Sequence, residues 1–333
     1  MDYSNYARSV GYLRIREKNL LQSGSLMRIV DSVDALEAAK LISQNSEYDF
    51  SSLSKAEDYE QIIDETLKKA YGYLYAIAPD KTIIDIILAK YDYHNLKTAL
   101  KSKYLKKDHS ELYINYTETD PAAISAALQS DTKQKNLPAH LLSAAALALS
   151  AYQNGDTPGD VDIALDLHMF AHTVNLANAA KNGFICEYVQ FTIDFYNLKT
   201  MLRAKNMGRE AKFVREALCE GGKIPKAQIF EHFDKEPAAL GEAFHYKYFG
   251  AIMKAALENY EKAGDFSSLE KLSDDFLVEH IKKSKYISLG PEIFMSYIFS
   301  KENEAKQIRI IMSGKINNIP PGEIKERLRD NYA

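Results

Sequence analysis

The sequence predicts an all-α protein built from three helical repeats, and three observations lead to this prediction. Only 15 glycines and 9 prolines occur among the 333 residues, and the residues that favour helices are abundant. Apolar residues recur at spacings of three and four, as they do on one face of a helix, and strand-like alternation is scarce. Finally, one long block of sequence occurs three times.

Apolar periodicity predicts helices in order along the chain, first at Leu36–Ile42 and then at Tyr59–Leu67. Asp160 is expected to cap a helix that begins with VDIALDLHMF, and Ser267 or Ser268 to cap one that contains LEKLSDDFL.

Three prolines, Pro121, Pro225 and Pro320, stand where a first helical turn can begin, because that turn tolerates a missing N–H. The best strand candidate, Glu111–Tyr116, is interpreted as a loop or a short edge strand.

Composition excludes several classes of protein. A hydrophobic content of 46% with 26% charged residues is typical of a globular chain. The net charge of −4 does not favour nucleic acid as a partner, which would demand a basic face. The two cysteines, Cys186 and Cys219, form no CxxC motif, so we expect neither a disulfide framework nor a structural zinc site, and we expect a reducing compartment.

The longest apolar stretch, Leu141–Ala151, falls short of the roughly 20 residues that a membrane-spanning helix needs. Charged residues such as Arg14 and Glu17 interrupt the N-terminal segment, which therefore does not resemble a signal peptide. We expect a protein on the cytoplasmic side that meets a membrane only through another protein.

The repeat becomes visible when the sequence is shifted by 102 residues, which aligns 60–103 with 162–205. A third, more diverged copy follows 110 residues later. Each copy carries the pattern acid–x–x–amide–aliphatic–base, preceded by a further acid. In the order first acid, second acid, amide and base, the copies read Asp64, Asp92, Asn95, Lys97; Asp166, Asp194, Asn197, Lys199; and Asp274, Glu304, Gln307, Arg309.

These blocks, 64–103, 166–205 and 274–315, predict one helical domain over 1–333 with repeats at approximately 1–108, 109–209 and 210–333. Such units must pack on their neighbours to bury their apolar faces. They can stack as an open solenoid or close around a pseudo-threefold axis. The last copy ends early, at Ala333, so we expect the N-terminal helices to complete it and close the bundle.

The block sequences YDYHNLKTALKSK, DFYNLKTMLRAK and ENEAKQIRIIMSGKINNIPPGEIKERLRDNY resemble the C-subunit family of A/V-type (vacuolar-type) rotary ATPases and ATP synthases, whose eukaryotic vacuolar relative is the d subunit. The opening YARSVGYLRIREKNLL is similar to the first helix of that family. The resemblance covers nearly the whole chain. The third copy departs from it most, with Gln307 in place of the amide asparagine.

The resemblance implies an all-helical, funnel-shaped closed bundle without an active site or cofactor. It would act as a socket that couples the central-stalk subunits to the membrane proteolipid ring, and so transmits torque for proton or sodium transport. The catalytic A and B subunits would be indirect partners, and neither nucleic acid nor a small-molecule substrate is expected. The alternative is a helical-repeat scaffold unrelated to rotary ATPases, although common solenoid repeats are shorter, at roughly 34–47 residues.

Two roles are open for the repeated acids and bases. They can pair across helices within each repeat and fix its packing, or the bases can point into the lumen and meet the stalk. We favour the first role, because identical residues suit an asymmetric stalk poorly. The basic residues Lys101, Lys103, Lys106 and Lys107 are expected either to face the ring or lipid headgroups or to be a solvated helix end.

Two motifs suggest chemistry and are given structural interpretations instead. Gly221-Gly222-Lys223 lacks the first glycine and the Ser/Thr of a phosphate-binding loop, so a turn after a helix is favoured. His168 and His172 have the i,i+4 spacing of a zinc face, but Met169 stands where a metalloprotease has its glutamate. We favour a histidine pair that faces solvent or core.

Overall fold

The computed structural model describes residues 3–129, 137–154, 157–244, 250–264 and 266–333, and within these ranges it contains helices and no β-strand. The all-α prediction is therefore confirmed. The α-helices are α1 (Ala7–Arg16), α2 (Ser23–Val30), α3 (Ala35–Asn45), α4 (Tyr59–Ile77), α5 (Thr82–Leu105), α6 (Pro121–Gln129), α7 (Ala139–Gln153), α8 (Pro158–Ala180), α9 (Gly183–Asn206), α10 (Ala211–Ala217), α11 (Lys226–Phe230), α12 (Pro237–Phe244), α13 (Gly250–Ala263), α14 (Ser267–Lys282), α15 (Pro291–Ile316) and α16 (Pro321–Arg327).

Most of the predicted helix starts are close to the observed ones. Helices α3 and α4 contain the two periodic segments. Pro121 is the first residue of α6, and Pro225 and Pro320 immediately precede α11 and α16. Glu111–Tyr116 begins in a 3-10 turn and continues as a loop, as one of the two interpretations expected.

The caps of α8 and α14 differ from the prediction. Thr157 caps α8, and Asp160 is its partner at the third helical position: Thr157 Oγ1 accepts from the Asp160 N–H, and the Asp160 carboxylate accepts from the Thr157 N–H. This reciprocal arrangement is a capping box. Helix α14 already includes Ser267, so Phe266 takes the cap position and neither serine caps the helix.

The described chain divides into two compact units. The terminal unit comprises Met1–Lys81 and Lys235–Ala333, and the central unit comprises Thr82–Asp234. In the terminal unit, α15 packs against α1, α3, α4, α14 and α16, and most of its residues are buried. The first helix of the first repeat block, α4, thus contacts the long helix of the third block.

In the central unit, α5 packs against α6, α7 and α8, and α8 packs in turn against α7 and α9. Leu96, Leu100, Leu141 and Leu165 belong to one apolar cluster that joins α5, α7 and α8. The pairs Lys97–Asp166 and Lys101–Asp162 run in opposite directions along their helices, so α5 and α8 are antiparallel. Again the long helix of one repeat block contacts the first helix of the next block.

The N-terminal segment packs with the end of the chain in the terminal unit. Tyr332 donates a hydrogen bond to Glu17 at 2.9 Å, and Lys325 pairs with Asp31 at 2.6 Å. Helix α2 contacts α16, and α1 and α3 contact α15. These contacts are consistent with the expectation that the N-terminal helices complete the third repeat. Closure of the three repeats around an axis stays a prediction.

Candidate functional site

The repeated amide of each block binds the main chain of a downstream segment. On α5, Asn95 Oδ1 accepts from the N–H of Ile114 at 2.9 Å, and its Nδ2 donates to the carbonyl of Ile114 at 2.7 Å. On α9, Asn197 forms the same pair of bonds with Cys219, at 2.7 and 2.9 Å. Each amide side chain therefore binds both the main-chain N–H and the main-chain carbonyl of one downstream residue.

The third copy preserves this arrangement although its amide is a glutamine. Gln307 on α15 accepts from the N–H of Arg329 at 3.1 Å and donates to its carbonyl at 2.7 Å. All three amide side chains are fully buried. A buried polar group needs partners, and here the main chain supplies both a donor and an acceptor. We call these three interactions the amide clamps.

The acid that precedes each amide by one turn also binds the downstream segment in the first two copies. Asp92 accepts a hydrogen bond of 2.6 Å from Thr117 Oγ1. Burial raises the pKa of Asp92 to about 6, because desolvation disfavours the charged carboxylate more than the Thr117 hydrogen bond favours it. Asp194 is fully buried and accepts from the main-chain N–H groups of Lys223 and Ile224, both at 3.1 Å.

These two N–H groups explain the Gly221-Gly222-Lys223 motif. The loop wraps around the carboxylate of Asp194, so the anion that it binds is part of the protein. A Cβ at Gly222 would lie 2.1 Å from Asp194 Oδ1, which leaves room for glycine alone. Gly221 has a φ of 96°, a conformation that glycine adopts readily. The turn interpretation agrees with this geometry, and the loop binds a carboxylate where a phosphate-binding loop would hold phosphate.

The third acid, Glu304, makes its contact with the N-terminal segment. Its Oε1 accepts from the N–H of Leu21 at 2.8 Å, and its Oε2 pairs with Lys301 Nζ at 2.6 Å. Lys301 is 1% exposed, and its ammonium also lies 4.5 Å from the centre of the Tyr48 ring. Burial raises the pKa of Glu304, and the Lys301 charge opposes that rise. This buried ion pair ties the third block to residue 21.

The repeated bases pair between copies. Lys97 Nζ of the first copy lies 2.6 Å from Asp166 Oδ1 of the second. Arg309 of the third copy lies 2.5 Å from Glu60 and 3.7 Å from Asp64, both on α4 of the first. The expectation of pairing within each repeat is therefore wrong for these two bases. The reason is that the long helix of one copy packs on the first helix of another.

The remaining repeated positions are occupied differently. Asp274 of the third copy pairs with Lys306 at 2.8 Å and with Arg329 at 3.0 Å, both of the same copy. Lys199 lies on α9 at the place that corresponds to Lys97. Gln307 binds the main chain of Arg329, and Asp274 pairs with the guanidinium of the same residue. Both side chains therefore hold Arg329 in the third amide clamp.

The four lysines proposed to face the ring or lipid fall into two groups. Lys101 pairs with Asp162 at 3.0 Å, and Lys103 donates to the carbonyl of Leu128. Lys106 and Lys107 follow the end of α5 and are exposed, and Lys106 has a left-handed backbone with φ of 50°. Leu105 beside them is 65% exposed. All four lysines are exposed, and the first two also contact neighbouring helices.

His168 and His172 lie on α8 and face α5 and α7. Tyr93 Oη lies 2.7 Å from His168 Nδ1, and Ser143 Oγ lies 3.0 Å from its Nε2. The ring of His172 stacks on His140, with centroids 4.0 Å apart. Burial lowers the pKa of all three histidines, that of His140 to about 4. Across the described ranges, no group of three or more His, Cys, Asp or Glu side chains could hold a metal ion.

A family model for the ATP synthase (C/AC39) subunit matches residues 9–327. The chain belongs to this C/AC39 family. The match spans all three repeat blocks, and the rotary-ATPase resemblance expected from the sequence is confirmed.

Curated relatives of this C/AC39 protein match along almost their whole length. The C subunit of the V-type sodium ATPase of Enterococcus hirae is 23% identical over 322 residues, which cover 96% of this chain and 97% of the relative. The C subunit of the A-type ATP synthase of Methanocaldococcus jannaschii is 24% identical and covers 98% and 87%. That of Methanococcoides burtonii is 25% identical and covers 98% and 94%.

Sequence reasoning found the repeated residues of this C/AC39 chain but missed their partners. The clamped residues Ile114, Cys219 and Arg329 share no side-chain chemistry, because the amides bind their main chain. Lys301 was also missed. A lysine within the apolar face of α15, three residues before a repeated acid, was the signal available for it. Within the described part of the chain, no helix combines the length and apolar character that crossing a bilayer requires.

Proposed function

We propose that the chain is a non-catalytic subunit of the central rotor of a V/A-type ATPase or ATP synthase. It forms a socket between the central stalk and the membrane proteolipid ring and transmits torque for proton or sodium transport. Its direct partners are the stalk subunits and the ring, and the A and B subunits are indirect partners. It is a peripheral protein on the cytoplasmic face of the membrane.

The family match over residues 9–327 is the observation that carries this proposal. The names of the relatives describe subunits of V-type and A-type machines, and one of them is a sodium ATPase. Because the relatives match along most of their length, the proposal concerns the role of a whole subunit. An unrelated helical scaffold would not account for such a match.

The amide clamps support a mechanical role on physical grounds. Torque transmission requires that a subunit resist deformation under load. Each clamp joins a long helix to a segment that follows it, 19 to 22 residues away in sequence. The ion pairs between copies add links between helices of different repeats. Buried and fully bonded polar groups rigidify a core and specify one packing.

The exposed end of α5 is proposed to face the ring or its lipid. Lys106 and Lys107 carry positive charge there, and Leu105 offers an apolar contact. A basic surface near a membrane is attracted to anionic headgroups or to acidic loops. Lys101 and Lys103 are exposed on the same stretch and belong to the same proposal, although Lys101 also pairs with Asp162 and Lys103 also donates to the carbonyl of Leu128.

The test is a pull-down of the tagged chain from gently solubilised membranes, followed by mass spectrometry. We expect recovery of the stalk subunits, the proteolipid and the A and B subunits. Deletion of the gene should leave the A and B subunits detached from the membrane ring. The proposal fails if the tagged chain is abundant in the cytosol and brings none of these proteins with it.

A further inference from the structure

The three long helices α5, α9 and α15 end in the same way. Just beyond each helix one residue has a left-handed backbone, with φ of 50° at Lys106, 64° at Gly208 and 54° at Asn318. These three residues are equivalent by the shifts of 102 and 110 residues. The Gly208 N–H donates to the carbonyl of Lys205 at 3.0 Å, and the Asn318 N–H donates to that of Lys315 at 3.1 Å. The repeat therefore extends to the turn that caps each long helix.

Two of these ends carry an exposed apolar side chain at one equivalent position. Leu105 is 65% exposed, Met207 is 68% exposed, and the third copy has the polar Asn317 there. We call residues 105–108 the α5 tip and residues 207–210 the α9 tip. The helix dipole accounts for basic residues at a C-terminal end. It gives no reason for a large apolar side chain to lie in solvent at the same place twice.

The charges of the two tips also correspond. The α5 tip ends with Lys107 and Asp108 and the α9 tip with Arg209 and Glu210, and all four residues are exposed. Arg209 is partly engaged, because its guanidinium lies 5.0 Å from the centre of the Phe213 ring. The apolar side chain is therefore the main binding group of each tip. Anionic lipid attracts clusters of four to eight basic residues, so tips that also carry an acid suit a protein surface better.

Both tips lie at the same end of the central unit. Helix α8 is antiparallel to α5, and it is also antiparallel to α9: the Phe170 ring lies 4.7 Å from that of Tyr196, and the Ala177 carbonyl accepts from Cys186 Sγ at 3.3 Å. Helices α5 and α9 are therefore parallel. Packed helices are 8–10 Å apart, so two helices that both pack on α8 are separated by no more than about 20 Å.

We propose that the α5 and α9 tips dock on two identical copies of one partner protein, and that Leu105 and Met207 each enter an apolar depression of their copy. Two tips alike in backbone, apolar group and charge order fit a partner that repeats one surface, whereas an asymmetric partner would offer each tip a different surface. Apolar anchors of this kind supply much of the binding energy of an interface.

This inference rests on the proposed function, in which the proteolipid ring is the partner built from repeated subunits. It adds a second contact, at the end of α9, to the one proposed for the end of α5. It assigns no such contact to the end of α15, where Asn317 replaces the apolar residue.

Photo-cross-linking identifies the protein that each helix end contacts. A benzophenone amino acid is placed at position 105, 207 or 317 of the full chain, in cells that lack the native protein. The membranes are irradiated, and the linked proteins are identified by mass spectrometry. We expect positions 105 and 207 to link to the same proteolipid and position 317 not to link to it. A stalk subunit linked to position 207, or no product there, would overturn the inference.

Glutamate substitutions measure what each tip contributes. Leu105→Glu and Met207→Glu change exposed side chains, so the melting temperature should stay that of the native chain. Recovery with the membrane complex after a salt wash should fall about tenfold for each variant. The matched control, Asn317→Glu, adds the same charge at the equivalent position of the third copy and should be recovered like the native chain. Native recovery of Met207→Glu, or an equal loss for Asn317→Glu, would refute the second contact.

Alanine variants cover a failure to fold. If a glutamate variant is unfolded, Leu105→Ala and Met207→Ala remove the same apolar groups without adding a charge, and both must still lower the recovery.

Vesicles distinguish a contact with the ring from a contact with lipid. The purified native chain is mixed with vesicles of phosphatidylcholine, with and without phosphatidylglycerol, and its sedimentation with them is measured. We expect no binding that depends on Leu105 or Met207. Binding that the two glutamate substitutions abolish would assign the tips to lipid and contradict the inference. Failure of the proposed function is a separate outcome, since the native chain itself would then recover none of the rotary subunits.

Discussion

The twelve repeated side chains differ in what their burial costs. A primary amide that bonds to both peptide groups of one residue is satisfied without any charge, as at Asn197 and Cys219. A buried carboxylate must give up its hydration, and the raised pKa values of Asp92 and Glu304 reflect that cost. The amides therefore stabilise the fold, while Asp92 and Glu304 are buried at a cost in stability.

Replacing Asn197 by alanine should destabilise the protein by about 2–4 kcal/mol. The substitution removes two hydrogen bonds and leaves the N–H and the carbonyl of Cys219 buried without their partner. Urea-induced unfolding measures the effect. Asn206→Ala, at the exposed end of the same helix, should change the free energy of unfolding by less than about 0.5 kcal/mol. Equal effects at the two sites would contradict the clamp.

Asp92→Asn should stabilise the protein at neutral pH and not in acid. The folded pKa of Asp92, about 6, lies above its unfolded value, so ionisation weakens the native state as pH rises. Below pH of about 3 the carboxyl is largely protonated in both states and the substitution has little electrostatic effect. Above pH 6 the gain should reach about 2–3 kcal/mol. Unfolding by urea at pH 5 and pH 8 tests this, and a gain that is larger at pH 5 would refute it.

The residue types at the repeated positions and their spacing could be predicted from the sequence, because a comparison of three copies shows which positions recur. The partners of these side chains could not be predicted. Asn95 binds Ile114 through the main chain, which leaves no mark on the identity of residue 114. The pairing of Lys97 with Asp166 needed knowledge of which helices are neighbours. A repeat identifies equivalent positions, but it does not show which copy supplies the partner of each repeated residue.

At the scale of helices, periodicity predicted α3 and α4 well because each has one apolar face. Helix α8 shows where such reasoning stops. Asp160 and Thr157 are both good cap residues, and the choice between them depends on where Pro158 starts the helix. The capping box uses both residues. Asp160 was therefore predicted at the wrong position of the cap, but it does take part in the cap.

The contact between α5 and α8 permits a test of pairing between copies. Lys97→Met should cost about 2 kcal/mol or more, because it leaves the carboxylate of Asp166, on a side chain only 26% exposed, without its cation. Burial already raises the pKa of Asp166 despite Lys97. The double variant Lys97→Met/Asp166→Asn should therefore recover much of the loss. A double-mutant cycle measures the coupling, and additive effects of the two changes would show that the pair contributes nothing.

At the scale of the whole molecule, the two units do not follow the repeats. Helices α4 and α5 belong to one repeat block and to different units, since each packs on a helix of another copy. The sequence could predict three blocks and the family from local motifs. The packing faces that assign α4 to α15 and α5 to α8 involve contacts far apart in sequence, and periodicity carries no information about them.

The last residues of the chain should matter more for stability than chain ends usually do. Arg329 and Asp330 bond to Gln307 and Asn303, and Tyr332 bonds to Glu17. Removal of 328–333 should lower the free energy of unfolding by about 3 kcal/mol or more, because several buried partners lose their bonds. Calorimetry measures the change. Removal of Ala333 alone is the control and should have little effect, and similar results for both truncations would disprove the prediction.

The amide clamps also have an evolutionary consequence. The three residues that they hold are an isoleucine, a cysteine and an arginine, and a clamp that bonds only to the peptide groups accepts each of them. Mutations can therefore accumulate in the downstream segments without disturbing the contact that positions them. The copies of such a repeat can therefore diverge in the sequence of their downstream segments while each segment keeps the main-chain contact that positions it.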